Sequence, residues 1–508
     1  MAGKKATTTV TPGEYALSVN NPGIKHPKSW VYVSLLDVST LATGHTPSRK
    51  YPEYWGGNIP WMSVGDARKV DGKSITKTKQ YTNQLGIDNS AAVLLPKDTV
   101  CLSRTASIGY AVRLGTEMAT SQGFVNFICS PILLPKFLQS LFLAERRFLY
   151  SISEGTAHTT IYYPEVKAFN IALPPLAEQQ RIVNKLDTIF KHLDALKTRL
   201  DNIPKLLKNF RQAILTQAVT GKLTEEWRVG RDLGFLDYER LKELKSTQKR
   251  VKWLGSEMLE SINRNKSWKP IFLGDLLKLI TDGSHHSPKI ISQGYPYITV
   301  RDLSWNNTID IKNSKRISKE DFLDLEKNGC RPIIGDVLFS KDGTVGKVYQ
   351  VKENTELVVL SSLAILRPFK EFCSSEYLSV LMQSPFVLNQ AINKKTGTAI
   401  RRIVLKNLKE VVISVPSVKE QTEIVKRVEH LFTKANAIEA QYQTLKTKID
   451  SLPQAILAKA FKGELVAQLD TDGDAKVLLA EIQKLKTSLS KKPSLRGTKQ
   501  SQRKKKKN

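Results

Sequence analysis

"LPPLAEQQRIV", Leu173 to Val183, returns 242 residues later as "VPSVKEQTEIV", Val415 to Val425. The match runs on without a gap from Gly155 against Gly397 through "QAILTQAVTGKL" and "QAILAKAFKGEL", with roughly 20 of about 70 positions identical. Solenoids and propellers repeat every ~20–50 residues, so a unit of about 240 residues written twice predicts two similar domains related by an approximate two-fold axis.

Each copy of the repeat carries a helical seam. After Pro174 the apolar residues fall at Ile182, Leu186, Ile189, Leu193, Leu196, Leu200, Ile203, Leu207, Phe210 and Ile214. The second copy answers with Ile424, Val428, Leu431, Ala435, Ile438, Tyr442, Leu445, Ile449, Leu452 and Ile456. Steps of four and three alternate throughout, which is a heptad pattern. Residues 182–214 alone make a rod of about 50 Å at about 1.5 Å per residue. Two equal seams in one chain predict an intramolecular coiled coil, ended by Gly221 and Gly463 and bent at Pro204 and Pro453, where a proline removes a helical hydrogen bond.

Around the helices lie two stretches, Trp30–Ala172 and Trp268–Ser414, that resemble each other loosely but in order. "WVYVSLLDVSTL" answers "WKPIFLGDLLKL", "PWMSVGDA" from Pro60 answers "PYITVRDL" from Pro296, and "VCLSRTASIG" answers "VLFSKDGTVG". Short apolar runs punctuated by Gly, Pro, Asp and Asn predict strand-rich α/β domains with one helical stretch each, at "LPKFLQSLFLAERRFLYSI" and "SSEYLSVLMQSPFVLNQAI". The linker "DYERLKELKSTQKRV" reads as an exposed helix.

At 508 residues, 41% hydrophobic and 25% charged, the chain has globular composition. No apolar run suits a leader or a membrane span, which predicts a cytoplasmic protein with no membrane partner. Cys101, Cys129, Cys330 and Cys373 show no CxxC spacing and are expected to be packing residues. The net charge is +30, nine of it in the tail "KKPSLRGTKQSQRKKKKN". The remaining surplus favours a polyanionic partner, because neutralised phosphates release condensed counterions.

These landmarks, with "PPLAEQ" and "PSVKEQ" opening the two helical regions and "TPSRKYPEYWGGNIPWMSVGDA" in the first domain, closely resemble the DNA-specificity subunits of type I restriction-modification systems. The resemblance covers about Trp30 to Gln468. It implies an α/β (α+β) protein in which two pseudo-repeated strand-rich target-recognition domains are joined by two long helices forming an intramolecular antiparallel coiled coil. The sequence alone leaves the helix direction open, since a linker of about 43 residues spans up to roughly 140 Å extended.

The corresponding layout is an N-terminal extension (1–29), a first recognition domain (30–172), a first helical region (173–224), a linker (225–267), a second recognition domain (268–414), a second helical region (415–487) and a basic tail (488–508). The resemblance further implies a non-catalytic subunit that binds a split sequence in double-stranded DNA, one half-site per domain. It would direct two modification subunits, which methylate adenine with S-adenosylmethionine, and two restriction subunits driven by ATP and Mg. No cofactor is expected in this chain. The alternative is a coiled-coil scaffold that binds nucleic acid without sequence preference.

No catalytic constellation competes with this reading. "LPPL" at Leu173 lacks the polar and aromatic ends of an amino-methyltransferase loop, and "DGTVGK" at Asp342 has the wrong glycine spacing for a phosphate loop, with Val348 where a Mg-binding hydroxyl belongs. The adjacent His285 and His286 of "DGSHHSP" suit a polar loop better than a metal site, and no metal is expected.

DNA contacts should come from Lys and Arg on phosphates and from a few side chains on base edges. The first-domain candidates are Thr46, Ser48, Arg49, Arg68, Arg104, Ser107 and Gln122, with Thr159 and Thr160; the second-domain candidates are His285, His286, Lys289, Arg301, Lys341, Asp342, Thr344, Arg401 and Arg402.

Overall fold

The computed structural model describes residues 7–23, 26–105, 107–154, 159–234, 236–246, 268–285, 287–392, 402–473 and 475–490. It divides into two compact units, one of residues 1–199 with 445–508 and the other of residues 200–444.

In the first unit the strands Val31–Ser34 and Phe169–Leu173 pair antiparallel, and Leu17–Val19 and Thr11–Pro12 extend that sheet to four strands. A five-stranded sheet runs in the order Ser39–Thr43, Phe124–Cys129, Val100–Ser103, Ala111–Leu114 and Ser74–Ile75. A third sheet places Trp55–Met62 between Ala119–Thr120 and Gln80–Thr82. Residues 7–22, expected to lie outside the domain, therefore belong to it. Ala16, Leu17 and Val19 are buried in its core, and the strand Leu17–Val19 is covered on both faces.

The second unit repeats the plan. Lys269–Phe272 pairs with Val412–Val415. Leu277–Asp282, Leu363–Pro368, Val337–Ser340 and Val348–Gln350 form the larger sheet, and Tyr295–Ile298 lies between Lys315–Ile317 and Val358–Val359. Even the mixed strand directions recur: Trp61 pairs parallel with Ala119, and Tyr297 with Val358.

The motif that opens each helical region now has a structural reason. Trp30 Nε1 donates to Glu178 Oε1 at 2.9 Å, and Trp268 Nε1 donates to Glu420 Oε2 at 3.0 Å. The next residue is a fully buried glutamine that ties three backbone segments together. Gln179 accepts from Leu134 N and donates to the carbonyls of Ile132 and Pro174, while Gln421 accepts from Ser374 N and donates to those of Phe372 and Pro416, all between 2.8 and 3.0 Å. The sequence is written twice because each unit needs the same polar joint between its sheet, its short helix and its long one.

The first helical run is Leu176–Asp201 followed by Ile203–Val219, with Pro204 in the opening turn of the second piece. The other is one helix, Val418–Phe461, which contains Pro453. At Pro204, where a bend was expected, the helix is interrupted between Asp201 and Ile203, and the second helix runs on through Pro453. Direction is fixed within each unit. In the first, Arg181 pairs with Asp472 and Lys197 with Asp450; in the second, Arg211 pairs with Glu439 and Arg228 with Glu420. Asp472 lies just past the end of the second helical run and Arg228 just past the end of the first, so in each unit rising numbers on one run meet falling numbers on the other, and the helices are antiparallel.

Each helical region also finishes the core of the domain it does not follow in sequence. Leu457, Ala460 and Phe461 join the first unit's core, where the Phe461 and Phe137 rings stand 5.2 Å apart. Ile214, Leu215, Ala218 and Val219 join the second.

The heptad pattern overstates the burial of the seam. Ile182, Leu186, Leu193, Ile424, Val428 and Tyr442 are buried, and Ile189, Leu200 and Leu431 are half-buried. Leu196, Ile438 and Leu445, expected in the seam, are 45–48% exposed. None of the three belongs to the core of its unit.

The linker helix Tyr238–Ser246 is also not the exposed segment its charge suggested. Leu241 is fully buried in the second core and Lys245 is 5% exposed, paired with Asp275 at 3.5 Å. Cys101, Cys330 and Cys373 are buried and Cys129 half-buried, all as free thiols.

Candidate nucleic-acid interface

In each unit an inner strand of the larger sheet, Val100–Ser103 or Val337–Ser340, ends on a serine that shapes the following loop. Ser103 Oγ donates to Ser107 O at 2.5 Å and accepts from Tyr110 N at 2.8 Å; Ser340 Oγ donates to Thr344 O and accepts from Lys347 N, both at 2.7 Å. Gly109 and Gly346 close the turns at φ +89° and +100°, and their N–H groups donate to the carbonyls of Ser103 and Ser340. The next residue, Arg104 or Lys341, is held on both sides by backbone bonds: Arg104 to Gly123 and Ile161, Lys341 to Ser362 and Ile403. The counterpart loops "RTASIG" and "KDGTVG" are thus one scaffold carrying different side chains.

Most first-domain candidates gather round this scaffold. Thr46 donates to the side chain of Gln122, next to Gly123, and Thr105 bridges to Thr160. Thr159 and Ser107 are half-buried in the same loops. Arg68 donates to the Tyr110 hydroxyl at 3.1 Å. Arg104 is half-buried: its Nη1 donates to Ile161 O at 3.3 Å and its guanidinium lies 4.6 Å over the Tyr163 ring.

Ser48 and Arg49 are exposed on the approach to the neighbouring three-stranded sheet. There Arg49 stacks 4.6 Å over Trp55 and 5.6 Å from Trp61, and donates to Gln80 Oε1 at 2.9 Å. Sequence reasoning named Arg49 but missed Trp55, Trp61 and Gln80. The Arg and both Trp residues stand in the quoted "SRKYPEYWGGNIPW", while Gln80 arrives only through strand pairing.

The second domain corrects one candidate. Lys341 is 2% exposed, with Nζ 3.2 Å from Asp282 Oδ1, so it is an internal counterion rather than a surface contact. Asp282 belongs to the "DGSHHSP" loop and also stands 3.4 Å from His285 Nε2; the sequence reading passed over it. Asp342 faces Arg402 at 3.7 Å, and the two pair through their backbones. Lys289 and Arg301 are exposed. His286 and Arg401 lie outside the described residues. Among the described residues no three His, Cys, Asp or Glu side chains are placed to hold a metal ion.

The two repeated units are matched, at residues 27–205 and 265–447, by the family model described as the type I restriction modification DNA specificity domain. The chain belongs to that family. Among its relatives, the EcoBI specificity subunit of Escherichia coli is 31% identical over 63% of this chain and 64% of its own length. The EcoKI specificity subunit of Escherichia coli K12 is 27% identical over 87% of this chain and 91% of its own. The Methanocaldococcus jannaschii MjaIX specificity subunit is 23% identical over 87% and 94%.

The HsdS subunit from Thermoanaerobacter tengcongensis shares the fold, with a TM-score of 0.55 at 20% identity over 88% of this chain and all of that one. A chain from a structure of type I R-M complex assembly does so at a TM-score of 0.58 and 20% identity, over 87% of this chain and all of that one. No described helix of this specificity-family protein is long and apolar enough to cross a membrane.

Proposed function

We propose that this protein is the sequence-reading, non-catalytic subunit of a type I restriction-modification complex, acting in the cytoplasm. Each recognition domain binds one half of a split target in double-stranded DNA. The chain carries that specificity to two modification subunits, which methylate adenine with S-adenosylmethionine, and to two restriction subunits, which use ATP and Mg.

The observation that carries this reading is the duplicated serine-anchored loop: one backbone scaffold, with Arg104, Thr105 and Ser107 in one copy and, after the buried Lys341, Asp342 and Thr344 in the other. A scaffold kept while its side chains change is what independent reading of two half-sites needs. The net charge of +30 supplies the sequence-independent attraction to phosphate.

That same charge favours non-specific nucleic-acid binding as the second reading, and the two separate on the specificity ratio rather than on salt dependence. Co-expression with modification subunits from the same genome, followed by mapping of methylated adenines, tests the proposal. A split motif that disappears when this chain is deleted is the expected result; methylation independent of the chain refutes it.

A further inference from the structure

The cleft beside Arg49 has the chemistry of a reader for one particular base. Arg49, Trp55, Gly56, Gly57, Lys79, Gln80 and Tyr81 line it. Its shape follows from the strand Trp55–Met62: pairing with Gln80–Thr82 slips between Trp55 and Ile59, both of which align with Thr82. The extra residues form a bulge that re-aims the side chain before it. Gly56 takes φ +81°, and a Cβ on Gly57 would lie 2.4 Å from that of Asn83, so both glycines are required. The bulge leaves Trp55 edge-on to Trp61, ring centroids 5.2 Å apart, under the Arg49 guanidinium.

That stacking and the bond to Gln80 fix the plane of a side chain that would otherwise sample many rotamers. They also fix the orientation of Gln80. A guanidinium only donates, so the Gln80 oxygen must face Arg49 and its NH2 must point away.

The groups that Arg49 and Gln80 themselves leave over are all donors: the remaining Arg49 N–H groups and the Gln80 amide. A row of donors fits a base edge with adjacent acceptors. In the major groove only guanine offers that, through O6 and N7. Adenine sets a donor beside its acceptor, cytosine presents a donor, and thymine pairs one acceptor with a methyl group.

We propose that Arg49, held by Trp55 and Gln80, reads a guanine in the half-site bound by the first domain. This rests on the proposed function and adds the base and the residues that read it. A phosphate contact, the other use of an exposed arginine, needs neither an aromatic floor nor an oriented amide.

The test is the methylation motif written by the complete complex carrying wild-type chain, Arg49→Lys, Arg49→Ala or Gln80→Ala. The wild-type motif should contain a fixed guanine in one half. Each Arg49 variant should lower discrimination at that position alone by roughly 5- to 150-fold, the range for one bidentate base contact, and leave the other half-site fully specified. The unchanged half doubles as a check that the variant folds and assembles. Gln80→Ala should relax the same position.

An Arg49→Lys complex that keeps the motif intact would make the residue a phosphate contact and overturn the proposal. So would loss of methylation spread evenly across both half-sites. If Arg49→Ala leaves a split wild-type motif unaltered, this inference fails while the proposed function stands. No split motif from the wild type removes both.

Discussion

Trp30 Nε1 lies 2.9 Å from Glu178 Oε1, an indole N–H donated to a fully buried carboxylate. Ser29 Oγ donates to the other oxygen at 3.1 Å. A buried donor stripped of its acceptor costs its full desolvation, so Glu178→Ala should destabilise the first unit by about 2–3 kcal/mol. Denaturant unfolding would show it, with Glu178→Gln, which keeps one acceptor, in between.

Glu420 is the matching carboxylate, with a heavier load. It accepts from Trp268, from Thr224 Oγ1 at 2.7 Å, and from Arg228 at 2.8 and 3.0 Å. Both charged partners are largely buried, at 15% and 2% exposure. Removing one member of a buried pair strands the other, so Arg228→Ala should cost about 3–5 kcal/mol and lower the melting temperature. An exposed pair such as Arg240–Glu243, removed by Arg240→Ala, should shift stability by about 0.5 kcal/mol or less.

Glu145 supports the first-domain sheet in a different way. It is fully buried and accepts backbone N–H bonds from Glu14, Tyr15, Ala16 and Leu17 at 2.7–3.1 Å. Burial pushes its carboxyl above the usual 4.5, and the four N–H bonds oppose that rise without cancelling it. The folded state therefore holds this proton more tightly than the unfolded chain. Its stabilising contribution is present below pH 4.5 and fades as the pH rises through the folded value. Glu145→Gln should flatten the stability–pH profile over that window. Glu145→Ala should speed amide exchange at residues 14–17 more than elsewhere.

Along the helices the expected costs divide by position. Leu186 is 2% exposed and Leu196 is 45% exposed. Leu186→Ala should cost about 2–5 kcal/mol, while Leu196→Ala should stay within about 0.5 kcal/mol. Equal losses at the two sites would mean that Leu196 is covered in the isolated protein.

The repeat, the two strand-rich domains and the heptad seams were legible because they rest on periodicity, which survives in a single sequence. The paired landmarks even kept their order, from Trp30 and Trp268 to the serine-anchored loops. Direction was not legible: it depends on pairs such as Arg181–Asp472 and Arg211–Glu439, residues more than 220 positions apart. Lys341 was misjudged because its partner, Asp282, comes from another strand, and a lysine in a polar loop reads as exposed until that strand is placed. The strand Leu17–Val19 was overlooked because three residues are too short a run to register. Gln80 escaped for the same reason as Asp282.

The most direct test of one half-site per domain is a chimera in which residues 7–173, the added strands included, are replaced by the equivalent segment of a relative with a different target. Adenine methylation is then mapped in cells carrying the modification subunits. One half of the motif should change to that of the donor and the other half should stay. Change in both halves, or in neither, would contradict the account.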